Sequence, residues 1–336
     1  MKAFTVTKYA EDGLQLADIA EPVIGESDVL VKVIATSVNP LDKMVRNGEL
    51  KQLLKYRKPF ALGHDVAGIV TEIGSKVNNF KIGDAVFSRP RDLHIGTFAE
   101  YIAINKADIA TKPSNLTYAE AAAVPLVALA SWQALVEHAH VKPGDKILIH
   151  AGAGGLGSTA VQLGHHLGAR VATTVSTRNV ALAKKLGASV VIDYTKDDFS
   201  TKLSNYDFVL DAVGGPNLEK SLKVLKPGGL AISVVGPPDS SFAKQLGAPL
   251  PIQLFMSFLS RKVRRQAKAL GVKYQFLFMQ ANGAQLDTLR KLYERSELVP
   301  VIDRTFSFDE TLDAMSYVEQ GKAKSGKVVI EVSSDN

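Results

Sequence analysis

The run Gly152-Ala153-Gly154-Gly155-Leu156-Gly157 constrains this chain more than any other feature. Before it, Lys146 to Ala151 is short, mostly apolar and contains β-branched residues, the pattern of a buried parallel strand. After it, Ser158 to Leu167 has helical spacing, Gly168 closes the segment, and Arg170 to Val175 reads as the next strand. Strand, glycine turn, helix and strand together form the layout of a dinucleotide-binding βαβ unit. The glycines let backbone N–H groups approach a pyrophosphate, and the helix start supplies a favourable dipole.

The surrounding charge says which dinucleotide to expect. Between Lys146 and Ile192 there is no Asp or Glu. An NAD site usually places a carboxylate on the adenosine ribose about 20 residues past the glycines. Here that place reads Thr173-Thr174-Val175-Ser176-Thr177-Arg178. A carboxylate would repel a 2′-phosphate, whereas two hydroxyls and a guanidinium would bind it, so the expected cofactor is NADPH. Gly154, Gly155 and Leu156 are expected at the pyrophosphate and Ser176, Thr177 and Arg178 at the 2′-phosphate. Val235 and Gly236 close a strand at its C-terminal end, where the nicotinamide should pass.

The chain has 336 residues, enough for two domains, and no cysteine, which excludes disulfides, thiolate catalysis and cysteine-ligated metal. Its start lacks the apolar core and cleavage pattern of a secretion signal, so a cytoplasmic location is expected. The most apolar stretch, Ala119 to Val136, contains Glu120, Pro125, Ser131 and Gln133, which suits a helix pair broken at the proline better than a membrane span. No membrane partner is expected. The formal net charge is +6, and the densest basic run, Arg261-Lys262-Val263-Arg264-Arg265, lacks the interleaved aromatics of a single-strand binding surface. It reads as a solvated helix face, and no nucleic-acid partner is expected.

The first third is β-rich, with strands expected over 2–7, 28–35, 67–73 and 85–88 and punctuation by Gly and Pro. In the second of these, Val29, Val31 and Val33 alternate onto one side. Beyond Leu116 strands expected at 146–151, 170–175, 189–193, 207–212, 229–235 and 274–280 are separated early on by helices at 157–167, 178–186 and 216–225. That rhythm predicts a doubly wound parallel sheet. Helices at 284–295 and 309–320 and a strand over 327–332 follow.

Gly63-His64-Asp65-Val66-Ala67-Gly68-Ile69-Val70, then Val77, Phe80 and Gly83-Asp84-Ala85-Val86-Phe87, resembles the N-terminal signature of medium-chain dehydrogenases/reductases. With Ser37-Val38-Asn39-Pro40-Leu41-Asp42 before it and Ala153-Gly154-Gly155-Leu156-Gly157 after it, the chain is similar to the zinc-free quinone oxidoreductase and enone reductase branch. The resemblance covers essentially the whole chain. It implies an α/β fold with a GroES-like β-rich catalytic domain, 1–126 and 283–336, and a Rossmann NADP-binding domain, 127–282, with the active site in the cleft between them. It also implies a homodimer, for which the apolar run Tyr274 to Met279 is a candidate edge strand. Zinc-dependent relatives have a cysteine where this chain has Asn39, and His64 with Asp65 cannot close a three-ligand site, so no metal is expected. A threonine common in relatives at the cofactor is replaced by Ala130.

Without a metal there is no Lewis acid to polarise a simple ketone. Hydride transfer then needs an acceptor that is already electron-poor: a quinone, or a C=C bond conjugated to a carbonyl. Asn39 can donate to the acceptor oxygen, and Lys43 can meet an enolate. Asp42, Tyr56 and Phe255 are further candidates for the substrate side. Tyr194 resembles a tyrosine that packs by the cofactor phosphate in relatives, and Lys327 is placed to reach the cofactor from the tail. The alternatives are an alcohol or aldehyde dehydrogenase of the same superfamily and a non-catalytic NADPH-binding protein, structural or RNA-associated.

Overall fold

The computed structural model describes residues 1–333. The chain forms two compact units, Ala130–Met279 and a second made of Met1–Leu129 with the described residues from Gln280 onward. The strands in chain order are β1 (Lys2–Val6), β2 (Leu14–Asp18), β3 (Asp28–Val38), β4 (Phe60–Ala61), β5 (Asp65–Ile73), β6 (Ala85–Ser88), β7 (Tyr101–Asn105), β8 (Ile109–Thr111), β9 (Lys146–Ile149), β10 (Arg170–Val175), β11 (Val190–Asp193), β12 (Tyr206–Asp211), β13 (Leu225–Ser233), β14 (Lys273–Phe276), β15 (Ile302–Ser307) and β16 (Lys327–Glu331).

In the Ala130–Met279 unit, six strands run parallel in the order β11-β10-β9-β12-β13-β14. This is the doubly wound dinucleotide-binding order, and the strand sequence reverses between β9 and β12. The apolar residues dictate it. Ile147, Leu148 and Ile149 of β9 are fully buried, as a central strand covered on both faces requires. Helices Gly155–His166, Val180–Lys185 and Pro216–Val224 supply the crossovers. A core of Leu148, Ala172, Val209, Leu222 and Ala231 is extended by Val263 and Ala267 from the basic segment.

The other unit is mostly antiparallel. Its larger sheet has the order β15-β16-β3-β5-β6-β8, with β7 also pairing β3, and a smaller sheet has the order β2-β1-β4. Val29, Val31 and Val33 do share one buried side, packed with Val66, Val70, Val86, Ile102 and Ile104. The C-terminal strand β16 pairs antiparallel with β3, from Val328 opposite Val38 to Glu331 opposite Ala35, so the tail completes the sheet begun by the first third of the chain.

The segment around Pro125 is a pair of helices, Tyr118–Ala122 and Pro125–Trp132, and a π-helical turn, Gln133–His138, follows. Proline opens the second helix, where its missing N–H costs nothing. Several strand bounds shift by two or three residues, and two shift by four. β13 begins at Leu225, four residues before the expected 229, because Lys226-Pro227-Gly228-Gly229 enters the sheet through a register shift against β12. β14 ends at Phe276 and not at 280, because Phe276 and Phe278 turn their rings onto Phe242. No helix among the described residues is long and apolar enough to cross a membrane.

Candidate functional site

The glycine turn divides its labour among its glycines. A Cβ on Gly152 would lie 1.9 Å from the Thr173 Oγ1, and one on Gly157 would lie 2.1 Å from the Ala151 carbonyl oxygen. Both are glycine because the protein's own packing leaves no room. A Cβ on Gly154 meets only the Ala151 oxygen, at 3.3 Å, and otherwise points into open space. Its bareness serves no internal contact and leaves the backbone open to close approach. Ala151, just before the turn, sits at φ 54°, a strained value for a side-chain-bearing residue. Gly154 caps the helix Gly155–His166, and the first helical bond is donated by Ser158 to the Gly154 carbonyl. The amides of Gly155, Leu156 and Gly157 therefore have no acceptor in the helix, and no acid stands in its first turn. These are the terms of an anion site.

The neighbouring strand ends carry the remaining cofactor candidates. Ser176 follows β10 as the cap of a single 3₁₀ turn, Thr177–Asn179. Arg178 is exposed and has no ion-pair partner among the described residues. Thr177 is differently employed. Its hydroxyl donates to Asp193 Oδ2 at 2.6 Å, and Thr195 donates to Asp193 Oδ1 at 2.7 Å. The Thr177 hydroxyl bond above all, with help from Thr195, holds the Asp193 carboxyl down at about 2. Val175 lies opposite Asp193 in the parallel register. The acid that the sequence lacks up to Ile192 therefore arrives one residue later, from β11, and takes the proton of a residue expected to hold phosphate. Thr177 thus has no hydroxyl proton left to give a phosphate. Tyr194 is 61% exposed and anchored only through its backbone, its amide donating to the Val175 carbonyl at 3.0 Å.

Further along the same edge, fully buried Asp211 ties β12 to β13. It accepts from the Gly214 amide at 2.9 Å and from Ser233 Oγ at 2.7 Å. Ser233 in turn accepts from the Gly236 amide at 2.7 Å, and Val235 is left half-exposed. A Cβ on Gly236 would meet the Tyr274 hydroxyl at 2.6 Å, so this glycine also answers to packing. Apart from Lys327, every residue expected at the cofactor lies along the C-terminal edge of this one parallel sheet, where such sheets bind ligands.

The Asn39 cluster belongs to the other unit and is a closed network. Asn39 ends β3, caps the helix Pro40–Arg46 and is buried. Its amide donates to Asp65 Oδ2 at 2.8 Å, and its carbonyl accepts from Lys327 Nζ. Its second amide proton has only a long contact, 3.4 Å, to the Ser37 carbonyl. Lys327 also donates to the Val38 carbonyl at 3.1 Å and to Asp65 at 3.2 Å, so all three ammonium protons are used inside the protein. Lys327, expected at the cofactor, is bound here to Val38, Asn39 and Asp65. Asp65 takes further bonds from Ser37 Oγ at 2.9 Å and the Leu126 amide at 2.7 Å. Asp42 is also committed: it accepts from the Asn39 amide at 2.7 Å, and its Oδ1 is 2.5 Å from His64 Nδ1. Asp42 and His64 are fully buried, and His64 Nε2 has no partner among the described residues. The Nδ1–H tautomer follows, since a bare lone pair is cheaper to leave unpaired than an N–H.

Two substrate-side candidates fall away from this network. Lys43 sits one residue past Asp42 but lines a cavity of about 540 Å³ with Glu11, Asp12, Arg46 and Glu319. Helical rotation carries it there. Tyr56 stacks on Phe60 with ring centroids 4.6 Å apart, and its oxygen accepts from the Leu93 amide at 3.3 Å. Burial pushes its phenol well above the usual range, so it stays protonated near neutrality. Phe255 is 60% exposed, on a helix of the other unit. Of the two acids that organise these clusters, Asp65 enters from the sequence only as a metal ligand and Asp193 has no expected role; Asp193 closes an expected strand, a signal that could have marked it.

Two family models match the chain: an alcohol dehydrogenase GroES-like domain over residues 25–114 and a zinc-binding dehydrogenase over 186–330. The 2-methylene-furan-3-one reductase of Solanum lycopersicum is 36% identical, over 98% of this chain and 79% of its own length. The chloroplastic NADPH-dependent alkenal/one oxidoreductase of Arabidopsis thaliana is 33% identical over the same shares. Among solved structures, the quinone oxidoreductase from Coxiella burnetii superposes with a TM-score of 0.86 at 35% identity, covering 99% of both chains. The chain belongs to the medium-chain dehydrogenase/reductase superfamily, in its branch of quinone oxidoreductases and enone reductases.

Proposed function

We propose that this oxidoreductase uses NADPH to reduce an electron-poor acceptor, either a quinone or the β-carbon of an α,β-unsaturated carbonyl compound. The observation that carries the reading is the pairing of an open glycine at a bare helix start, Gly154, with a guanidinium at the adjacent strand end, Arg178, that has no ion-pair partner among the described residues. The first suits a pyrophosphate, the second a 2′-phosphate. The names of the tomato, Arabidopsis and Coxiella relatives support the acceptor class.

When bound, NADPH supplies a hydride. The amides of Gly155, Leu156 and Gly157 hold its pyrophosphate, and Ser176 and Arg178 hold the phosphate that distinguishes it from NADH. Tyr194 covers the same region with an exposed ring. Charge developing on the acceptor oxygen needs a donor. Asn39 has one to offer, the amide proton held only at 3.4 Å by Ser37. The Asp65 and Lys327 bonds fix that amide's orientation.

The residues do not fit a zinc ion. The chain has no cysteine, Asn39 is held at both ends of its amide, and no group of three His, Asp or Glu side chains stands close enough to hold a metal among the described residues, so the bare His64 Nε2 has no companion ligands. An ammonium, Lys327, already neutralises Asp65. The reaction is therefore proposed as metal-independent, in keeping with acceptors that need no Lewis acid. A homodimer formed through the free edge of β14 is part of the same proposal, and light scattering tests it. The decisive assay follows NADPH and NADH oxidation against 1,4-quinones, α,β-unsaturated ketones and saturated ketones, with and without a chelator. Turnover confined to saturated ketones, or abolished by the chelator, refutes the reading.

A further inference from the structure

One surface has no role in the proposed function beyond the substrate-side expectation for Phe255, and the inference drawn from it does not depend on that function. The helix Leu250–Leu259 presents Leu250, Leu254, Phe255, Phe258 and Leu259 to solvent, 44–67% exposed. At 3.6 residues per turn these five share one side, and buried Met256 and Ser260 mark the other. Scattered exposed leucines are ordinary, but five large apolar side chains on one helix face are a patch that needs a partner.

The next helix says what kind of partner. Arg261–Ala269 buries Val263 and Ala267 in the core of its unit and turns Arg261, Lys262, Arg264, Arg265 and Lys268 outward. Arg264 joins the two helices, donating from one nitrogen to the Ser257 carbonyl and hydroxyl, both at 2.7 Å. Lys262 pairs with Glu219, but Arg261, Arg265 and Lys268 have no carboxylate partner among the described residues. Between Asp239 and Asp287 the chain contains no acid at all. An apolar helix face followed one residue later by a helix whose outward cations lack carboxylate partners among the described residues, in an acid-free segment, is complementary to the boundary between acyl chains and anionic headgroups.

We infer that the helices Leu250–Leu259 and Arg261–Ala269 form a docking surface for anionic phospholipid bilayers. The leucines and phenylalanines enter the acyl boundary, and Arg261, Arg265 and Lys268 meet the headgroups. The sequence expectation of no membrane partner rested on the lack of a spanning segment, which excludes a span and not a surface. A soluble polyanion would account for the cations but not for the apolar face beside them.

The test is co-sedimentation of the full chain with vesicles of phosphatidylcholine alone and of phosphatidylcholine mixed with phosphatidylglycerol. Binding is expected to the mixed vesicles and to weaken with salt. Replacing Arg261, Arg265 and Lys268 by Gln should lower the partition coefficient by about a hundredfold, the combined effect of three surface cations. The double variant Leu254→Ser, Phe258→Ser should also lose binding, with its circular dichroism spectrum unchanged. Three results would overturn the inference. They are equal recovery with both kinds of vesicle, tighter binding to poly(U) that the serine variant leaves intact, and a dimer that the serine variant dissociates while neither protein meets vesicles.

Discussion

Replacing Lys327 by Met separates two roles for this lysine. Its ammonium is buried and donates to three internal acceptors, among them Asp65, whose side chain is fully enclosed. Met fills similar volume without the charge. Asp65 keeps its bonds from Ser37, Asn39 and Leu126 but loses its counter-ion. Removing one partner of a buried pair typically costs about 3–5 kcal/mol. The expected loss of unfolding free energy for Lys327→Met, measured by urea denaturation and far-UV circular dichroism, is in that range. Adding Asp65→Asn removes the stranded charge, so the double variant should be more stable than the single one by about 1–2 kcal/mol. NADPH affinity, measured by titration on the folded variant, should change by less than about threefold, well under the tenfold that 1.4 kcal/mol represents. Unchanged stability with a tenfold or greater loss of NADPH affinity would refute the network and return Lys327 to the cofactor.

Other consequences follow from the same geometry. Gly154→Ala should fold with stability within about 0.5 kcal/mol of the parent yet weaken NADPH about tenfold or more, whereas Gly152→Ala, its Cβ set against Thr173, should fail to reach a stable fold; thermal melts and titration distinguish the two. Thr177→Val should change NADPH affinity less than Arg178→Ala, because the Thr177 proton already belongs to Asp193; the reverse order of dissociation constants would mean that Asp193 releases it. His150 is buried between Thr174 and Ser221, and burial pushes its pKa down to about 4. The folded protein therefore keeps it neutral while the unfolded chain protonates near 6.5. The stability it contributes is complete above that value and falls by about 3 kcal/mol as pH drops toward 4. An imidazole NMR titration with a midpoint near 6.5 would contradict this.

The order of elements was legible because the parallel strands are short apolar runs with little else they can become, and Gly punctuation marks their ends. The antiparallel strands β2, β4, β7 and β8 were not, nor was β15, in which Arg304 and Thr305 are exposed and the apolar periodicity is too thin to read. The glycine turn could be read whole, since its requirements are local. The acids could not. Asp193 reaches Thr177 across a strand pair, and Asp65 meets Lys327 across more than half the chain. Such pairings depend on sheet order, which a single sequence does not print. Asn39 and Lys43 part for a local reason: Asn39, the helix cap, is held inward by Asp65 and Lys327, while Lys43, within the helix, lines a separate cavity.

Cofactor choice is read from the pair of dissociation constants for NADPH and NADH, taken by calorimetry on the wild-type protein and on Arg178→Ala. One charge-assisted contact to the 2′-phosphate is worth about 1.5–3 kcal/mol, so the wild type should prefer NADPH by at least about tenfold, and Arg178→Ala should lose most of that preference with NADH binding unchanged. Equal affinities in the wild type, or a loss shared equally by both cofactors in the variant, would contradict it.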